Sequence, residues 1–136
     1  MNPHDEFDRA PVNRLLGMRL VQSTAERSEV HLPVRDELLQ EAGVVQGGVL
    51  TALADTAAVY LLWPRLGDGR TMTGTGCSMQ FLAAARPGQG DLVAVATPLR
   101  VGRTMAVCES EVRQGARLVA KGTFPFLLQD LPPSGS

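Results

Sequence analysis

QGGVLTALADTAAVYLL, residues 46–62, decides the architecture of this chain. Its apolar residues Val49, Leu50, Leu53, Ala54, Ala57, Ala58, Leu61 and Leu62 recur at helical spacing and cover most of the circumference. The stretch therefore predicts a long helix buried on nearly all sides. Gly47 and Gly48 stand at its start, and Asp55 carries the only charge between Val44 and Trp63. A carboxylate on such a helix must be hydrogen-bonded, paired or chemically employed, because burying an unpartnered charge costs several kcal/mol or moves its pKa.

Upstream, residues 5–16 place Phe7, Val12, Leu15 and Leu16 at amphipathic spacing, and Pro11 limits them to about one helical turn before it and one after. Residues 1–4 read as frayed, and Gly17 ends the segment. Residues 18–23 and 28–34 alternate in polarity around the turn 24–27, which predicts a β-hairpin or one long bent strand. A loop, 35–45, carries Gln40 and Gly43 up to the glycine pair. Downstream, Trp63-Pro64 is expected to halt the helix and residues 66–69, LGDG, to form a loop. Four β-type runs follow at 71–84, 91–101, 104–113 and 116–128. Their separators, RPGQG, Gly102-Arg103 and Gln114-Gly115, have tight-hairpin chemistry, so the runs form an antiparallel meander. Residues 129–136, ending in PPSGS, are expected to be a disordered tail.

With 136 residues and 44% hydrophobic content, the chain suits one domain with a real core. Thirteen basic and 14 acidic residues leave a net charge of −1, so no global field recruits nucleic acid or an anionic membrane. No apolar run approaches the ~20 residues of a membrane span. Cys77 and Cys108 show neither CxxC nor Cys/His ligand spacing, which argues against a zinc site; both fall in strand runs and read as small core residues. Without a disulfide framework or a secretory leader pattern, a reducing cytoplasm is the expected location. The pattern of one strand or hairpin, one long helix and four antiparallel strands fits an α+β fold in which a sheet curls over the helix. The uncovered side of the helix would fall to another subunit.

GVVQGGVLTALADTA, residues 43–57, is similar to the G-x-x-H-G-G-x-x-x-x-L-x-D-x-A segment of the hotdog-fold acyl-CoA thioesterases. The chain resembles in particular the branch holding the phenylacetic-acid pathway thioesterase and the 4-hydroxybenzoyl-CoA thioesterases. The likeness covers about residues 12–128, and VGRTMAVCESEVRQGARLVAKGTF resembles the family's closing hairpin. It implies an N-terminal segment 1–16 with a short helix and a hotdog domain 17–128, in which five or six strands wrap one central helix. It also implies Asp55 as nucleophile or general base and the Gly47 N–H as oxyanion donor. One position departs from the pattern: Gln46 stands where the family has a histidine that orients the substrate. Glutamine still donates a hydrogen bond but carries no titrating proton. Gln40 and Thr75 match positions where relatives carry polar site residues, with Gly48 and Gly74 beside them. Coenzyme A, as part of the substrate, would meet a local basic patch from Arg100 and Arg103, beside the Thr104 hydroxyl at the hairpin turn, with Arg86 and Lys121. No metal or redox cofactor is implied.

Spacing adds a constraint of its own. Eight residues separate Gly47 from Asp55, about 12 Å along a helix, so the two cannot grip one carbonyl from a single helix. An antiparallel copy of the helix in a two-fold dimer brings Gly47 of one chain opposite Asp55 of the other, giving a homodimer, or a dimer of dimers, with shared sites. No histidine follows His31, which disfavours hotdog dehydratase chemistry, and His31 and His4 read as structural or surface groups. GxSxG and phosphate-loop patterns are absent. The rival reading is a non-catalytic acyl-CoA binding or sensing module on the same fold, motivated by Gln46.

Overall fold

The computed structural model describes residues 2–132. Two short helices open the chain. In α1, Pro3–Arg9, the Asn2 side chain accepts the His4 N–H at 2.8 Å, and in α2, Pro11–Leu16, proline again occupies the first turn. Proline at the first helical position loses nothing, because that N–H has no partner within a helix. Pro11 thus divides the segment as expected, while residues 2–4, read as frayed, are the cap and first turn of α1. Met1, read as frayed with them, lies outside the described residues. Gly17, at φ +84°, ends α2 in the left-handed conformation that favours glycine.

Strands β1, Arg19–Ser23, and β2, Ser28–Leu32, form the hairpin. Leu39 and Val45 then bridge across the loop, and the Gln46 N–H donates to the Leu38 carbonyl at 3.0 Å. This anchored loop delivers the chain to α3, Gly47–Leu66. The strands β3, Arg70–Gly74, β4, Ser78–Phe81, β5, Leu92–Val101, β6, Met105–Gln114, and β7, Arg117–Asp130, complete one antiparallel sheet. Its order is β1-β2-β5-β6-β7-β3, and β4 also lies on β7. The sheet's inner face and α3 share the core: Val30, Leu32, Leu53, Ala54, Ala57, Ala58, Leu61, Leu92 and Ala94 are fully buried.

Three expectations are corrected. First, α3 runs through Trp63-Pro64 to Leu66. Pro64 removes the N–H that would bond the Tyr60 carbonyl, and the Ser23 hydroxyl on β1 donates to that carbonyl instead, at 2.6 Å. Second, run 71–84 is two strands. The Thr75 N–H donates to the Pro125 carbonyl at 3.0 Å, but Pro125 returns no N–H on that side, so the ladder lapses before β4 resumes on Thr123 to Ala120. β4 then presses so closely on β7 that a Cβ at Gly122 would overlap Met79 Sδ and the Ser78 carbonyl. Third, β7 continues to Asp130, which pairs with Arg70 at 3.1 Å; residues 133–136 of the expected tail lie outside the described residues.

The helix is buried on most but not all of its surface. Gly48 and Asp55 are exposed, and Thr51, Ala52 and Val59 are half-buried, a stripe at spacings of three and four that looks out of the chain beside the β3–β4 edge.

Candidate active site

The stripe on α3 floors a cleft of about 390 Å³. Gly48, Thr51, Ala52 and Asp55 come from the helix, Gly74, Gly76 and Cys77 from β3 and the link to β4, and Phe124 from β7. Small residues dominate both walls, so the helix backbone is approachable from this side. Among the described residues the Asp55 carboxylate has no hydrogen bond and no ion pair, and desolvation alone pushes its pKa above the ordinary aspartate value. A carboxyl that is open to a cleft yet poorly solvated is ready to take a proton.

At the start of α3 the first-turn donors are in part committed. Gln46 is the N-cap residue: its carbonyl and its side-chain Oε1 accept from the Val49 N–H, at 2.9 and 3.2 Å. That bond orients the amide, leaving Nε2 as an outward donor. The Oε1 stands 2.7 Å from where a Gly48 Cβ would be, so the cap requires glycine there. The Gly47 and Gly48 N–H groups have no acceptor among the described residues. Two such amides at the positive end of a 20-residue helix suit a carbonyl oxygen gaining charge. The Phe81 ring of β4 lies against Gly47, its Cζ 3.2 Å from a notional Cβ.

Other predicted residues are placed differently. Thr75 lies just outside the cleft, its hydroxyl 3.4 Å from the Pro125 carbonyl. The Gln40 Oε1 accepts the Ala42 N–H within its own turn. Arg100, Arg103 and Thr104 sit at the β5–β6 hairpin, but Lys121 and Arg86 do not join them. Lys121 stands opposite Glu111, six residues along β6 from Met105 and so about 20 Å away, where it pairs with Glu109 at 2.8 Å and Glu111 at 3.3 Å. Arg86 is further still, its backbone exchanging hydrogen bonds with the Gln114 amide. The single basic patch expected from the sequence is therefore not formed: Lys121 and Arg86 lie at the other end of the sheet from the hairpin.

Three contributors escaped the sequence reading. Cys77, expected in the core, is exposed in the cleft; its flanking Gly74 and Gly76 were the available signal that the strand breaks there. Phe81 walls Gly47. Arg70 donates to the Arg103 carbonyl at 2.8 Å and edges a larger groove of about 660 Å³, lined by Val59, Trp63, Met72 and Phe126, which meets the cleft at Gly74. The groove is the roomier of the two, but it lacks Asp55, and the acid–base chemistry belongs with the cleft. His31 points from β2 to the outer face, 2.6 Å from Glu29. No group of three or more potential metal ligands occurs among the described residues, nor any helix long and apolar enough to cross a membrane.

The family profile described as Thioesterase superfamily matches residues 42–121. A Deinococcus radiodurans protein named "Putative esterase" is 39% identical over 101 residues, 74% of this chain and 66% of that protein. The AziG protein of S. sahachiroi superposes with a TM-score of 0.86 at 32% identity, covering 90% of this chain and 98% of its own. Thioesterase HI1161 of Haemophilus influenzae shares the fold at a TM-score of 0.88 and 24% identity, over 99% and 93%. The E. coli PaaI protein of the phenylacetic acid degradation operon does so at 0.82 and 23%, over 93% and 89%. The glycine pair, the helix carboxylate and strands β3 to β6 thus sit in a profile match spanning more than half the sequence, and the chain belongs to the thioesterase superfamily, with its hotdog fold.

Proposed function

We propose that this protein hydrolyses an acyl-CoA thioester to the free acid and coenzyme A, at sites each shared between two copies of the chain. The observation that carries the reading is the pairing, on one helix, of an unpartnered, desolvated carboxylate with unpartnered first-turn amides about 12 Å away. Neither half acts alone, and the exposed stripe between them, beside the open β3–β4 edge, is where an antiparallel second α3 would complete both.

In that arrangement the thioester carbonyl accepts from the Gly47 N–H of one copy, with the Gly48 N–H and Gln46 Nε2 beside it, while Asp55 of the other attacks the carbonyl carbon or takes a proton from the attacking water. Either route adds water across the C–S bond, and the thiolate leaves as coenzyme A. The apolar groove from Gly74 to Arg70 fits the pantetheine arm, with Arg70 at its far end and Arg103 beside it for phosphates. The cytoplasm is the proposed setting, since the exposed Cys77 thiol persists best in a reducing milieu. One observation favours the rival, a non-catalytic acyl-CoA binding module: Gln46 already has a structural task as the helix cap.

Thiol release from phenylacetyl-, benzoyl-, hexanoyl-, decanoyl- and palmitoyl-CoA, compared between the native protein and Asp55→Asn, decides between them. Turnover that falls at least ~100-fold in the variant supports hydrolysis. Equal acyl-CoA binding by both proteins, with turnover by neither, supports the binding module.

A further inference from the structure

One row of the sheet is built of small residues from edge to centre. Ser23 pairs with Ser28, Ser28 with Ala96, Ala96 with Ser110, and Ser110 with Gly122. α3 crosses this trough on Ala54, Ala57 and Ala58, all fully buried. Contact between small apolar surfaces is non-directional and leaves a helix free to shift along or turn about its axis. Three hydroxyls of the row remove that freedom. Ser110 donates to the Ala54 carbonyl at 2.8 Å, Ser28 to the Ala57 carbonyl, and Ser23 to the Tyr60 carbonyl at 2.6 Å.

The three bonds do different things. The Tyr60 carbonyl has lost its helical donor to Pro64, so Ser23 repairs a local defect. The Ala54 and Ala57 carbonyls have the N–H groups of Ala58 and Leu61 at ordinary helical spacing, so the bonds from Ser110 and Ser28 come on top of the helix ladder. Both serines are fully buried, and each places a polar group where an alanine would fill the space without needing a partner. What they add is direction.

We propose that Ser110 is a positioning residue: through the Ala54 carbonyl, in the peptide bond that leads into Asp55, it fixes the height and rotation of the Asp55 carboxylate over the cleft. Ser28, acting two residues beyond Asp55, supports it. The inference rests on Asp55 being the working carboxylate of the proposed hydrolysis.

The test compares Ser110→Ala, Ser28→Ala and Ser23→Ala for kcat, KM and thermal stability, and follows the 13C titration of the Asp55 carboxyl in each. Ser110→Ala is expected to lower kcat about tenfold with KM near native, since small misplacements of a reacting group cost rate rather than binding. Ser28→Ala should lose less. Ser23→Ala, although destabilised, should keep kcat. The Asp55 titration midpoint should move in Ser110→Ala and stay in Ser23→Ala. Ser110→Cys, of similar volume but a weaker donor, gives an intermediate loss and stands in if the alanine variant does not fold. Activity losses that follow the stability losses across all three positions, or a native kcat in Ser110→Ala, would overturn the proposal. Should the native protein hydrolyse no acyl-CoA, the functional reading fails separately, and the Asp55 titration alone decides the positioning claim: an unmoved midpoint in Ser110→Ala overturns it.

Discussion

Gly47→Pro removes one amide hydrogen from the site and leaves nearly everything else in place. Gly47 is the first residue of α3, where the N–H has no partner within the helix and proline is well tolerated. The residue before a proline must be extended, and Gln46 already is, at φ −65° and ψ 137°. The new Cβ would meet the Phe81 ring, 3.2 Å away but 56% exposed and able to swing outward. A fixed φ in the unfolded chain stabilises by about 0.4–1 kcal/mol, which offsets that small displacement, so folding stability should stay close to native. Activity should not. Loss of one oxyanion donor costs about 10²–10³ in kcat, or roughly 2.7–4 kcal/mol of transition-state stabilisation. Gly47→Ala, which adds the Cβ but keeps the N–H, serves as the steric control and should retain most activity. Thiol release at saturating substrate, with thermal unfolding at one protein concentration, measures both effects. A Gly47→Pro variant with near-native kcat would refute the assignment of this amide, and equal losses in the proline and alanine variants would show that the effect is steric.

The repair at Tyr60 predicts a coupling. Ser23→Ala strands the Tyr60 carbonyl and should cost about 1–2 kcal/mol by urea unfolding, but only a few tenths after Pro64→Ala restores a backbone donor; strictly additive losses would contradict it. Because desolvation raises the Asp55 pKa, kcat/KM should rise with pH through one ionisation above the usual aspartate value, with no imidazole step since Gln46 does not titrate. The same shift has a stability sign. The folded chain holds this proton more tightly than the unfolded chain, so the contribution of Asp55 falls as pH rises through its folded pKa. Asp55→Asn should therefore melt higher than native at neutral pH, with the gap closing below about pH 3.5. A maleimide should label Cys77 quickly in the folded protein and block turnover by filling the cleft, whereas Cys108, fully buried with its thiol pushed up to about 12, should react only on unfolding. Equal labelling rates would contradict the placement of the two thiols.

The long helix, the strand meander and the glycine-pair-to-Asp55 spacing were legible in the sequence because each is a local periodicity or a fixed offset. The details that shape the site were not, because each depends on a neighbour distant in sequence. Pro64 reads as a stop until the Ser23 hydroxyl, 41 positions earlier by numbering, supplies the missing donor. Cys77 reads as core until Pro125 interrupts the ladder opposite Thr75 and residues 75–77 leave the sheet. Arg86 and Lys121 read as companions of Arg103 until strand register places them at the other end of the sheet. The open stripe around Asp55 was foreshadowed as the uncovered side of a helix apolar nearly all round. Only the curl of the sheet shows that this side carries the carboxylate.

The shared site is tested most directly by complementation between two inactive chains. Asp55→Asn and Gly47→Pro are each expected to be nearly inactive alone. Unfolded together in equal amounts and refolded, with mixed dimers verified by native mass spectrometry, half of the dimers should be mixed, and each of those should hold one site with both Gly47 and Asp55 intact. The account predicts recovery of about a quarter of native activity. A mixture that contains the mixed dimers yet shows no more activity than its parents would contradict a site built from two chains.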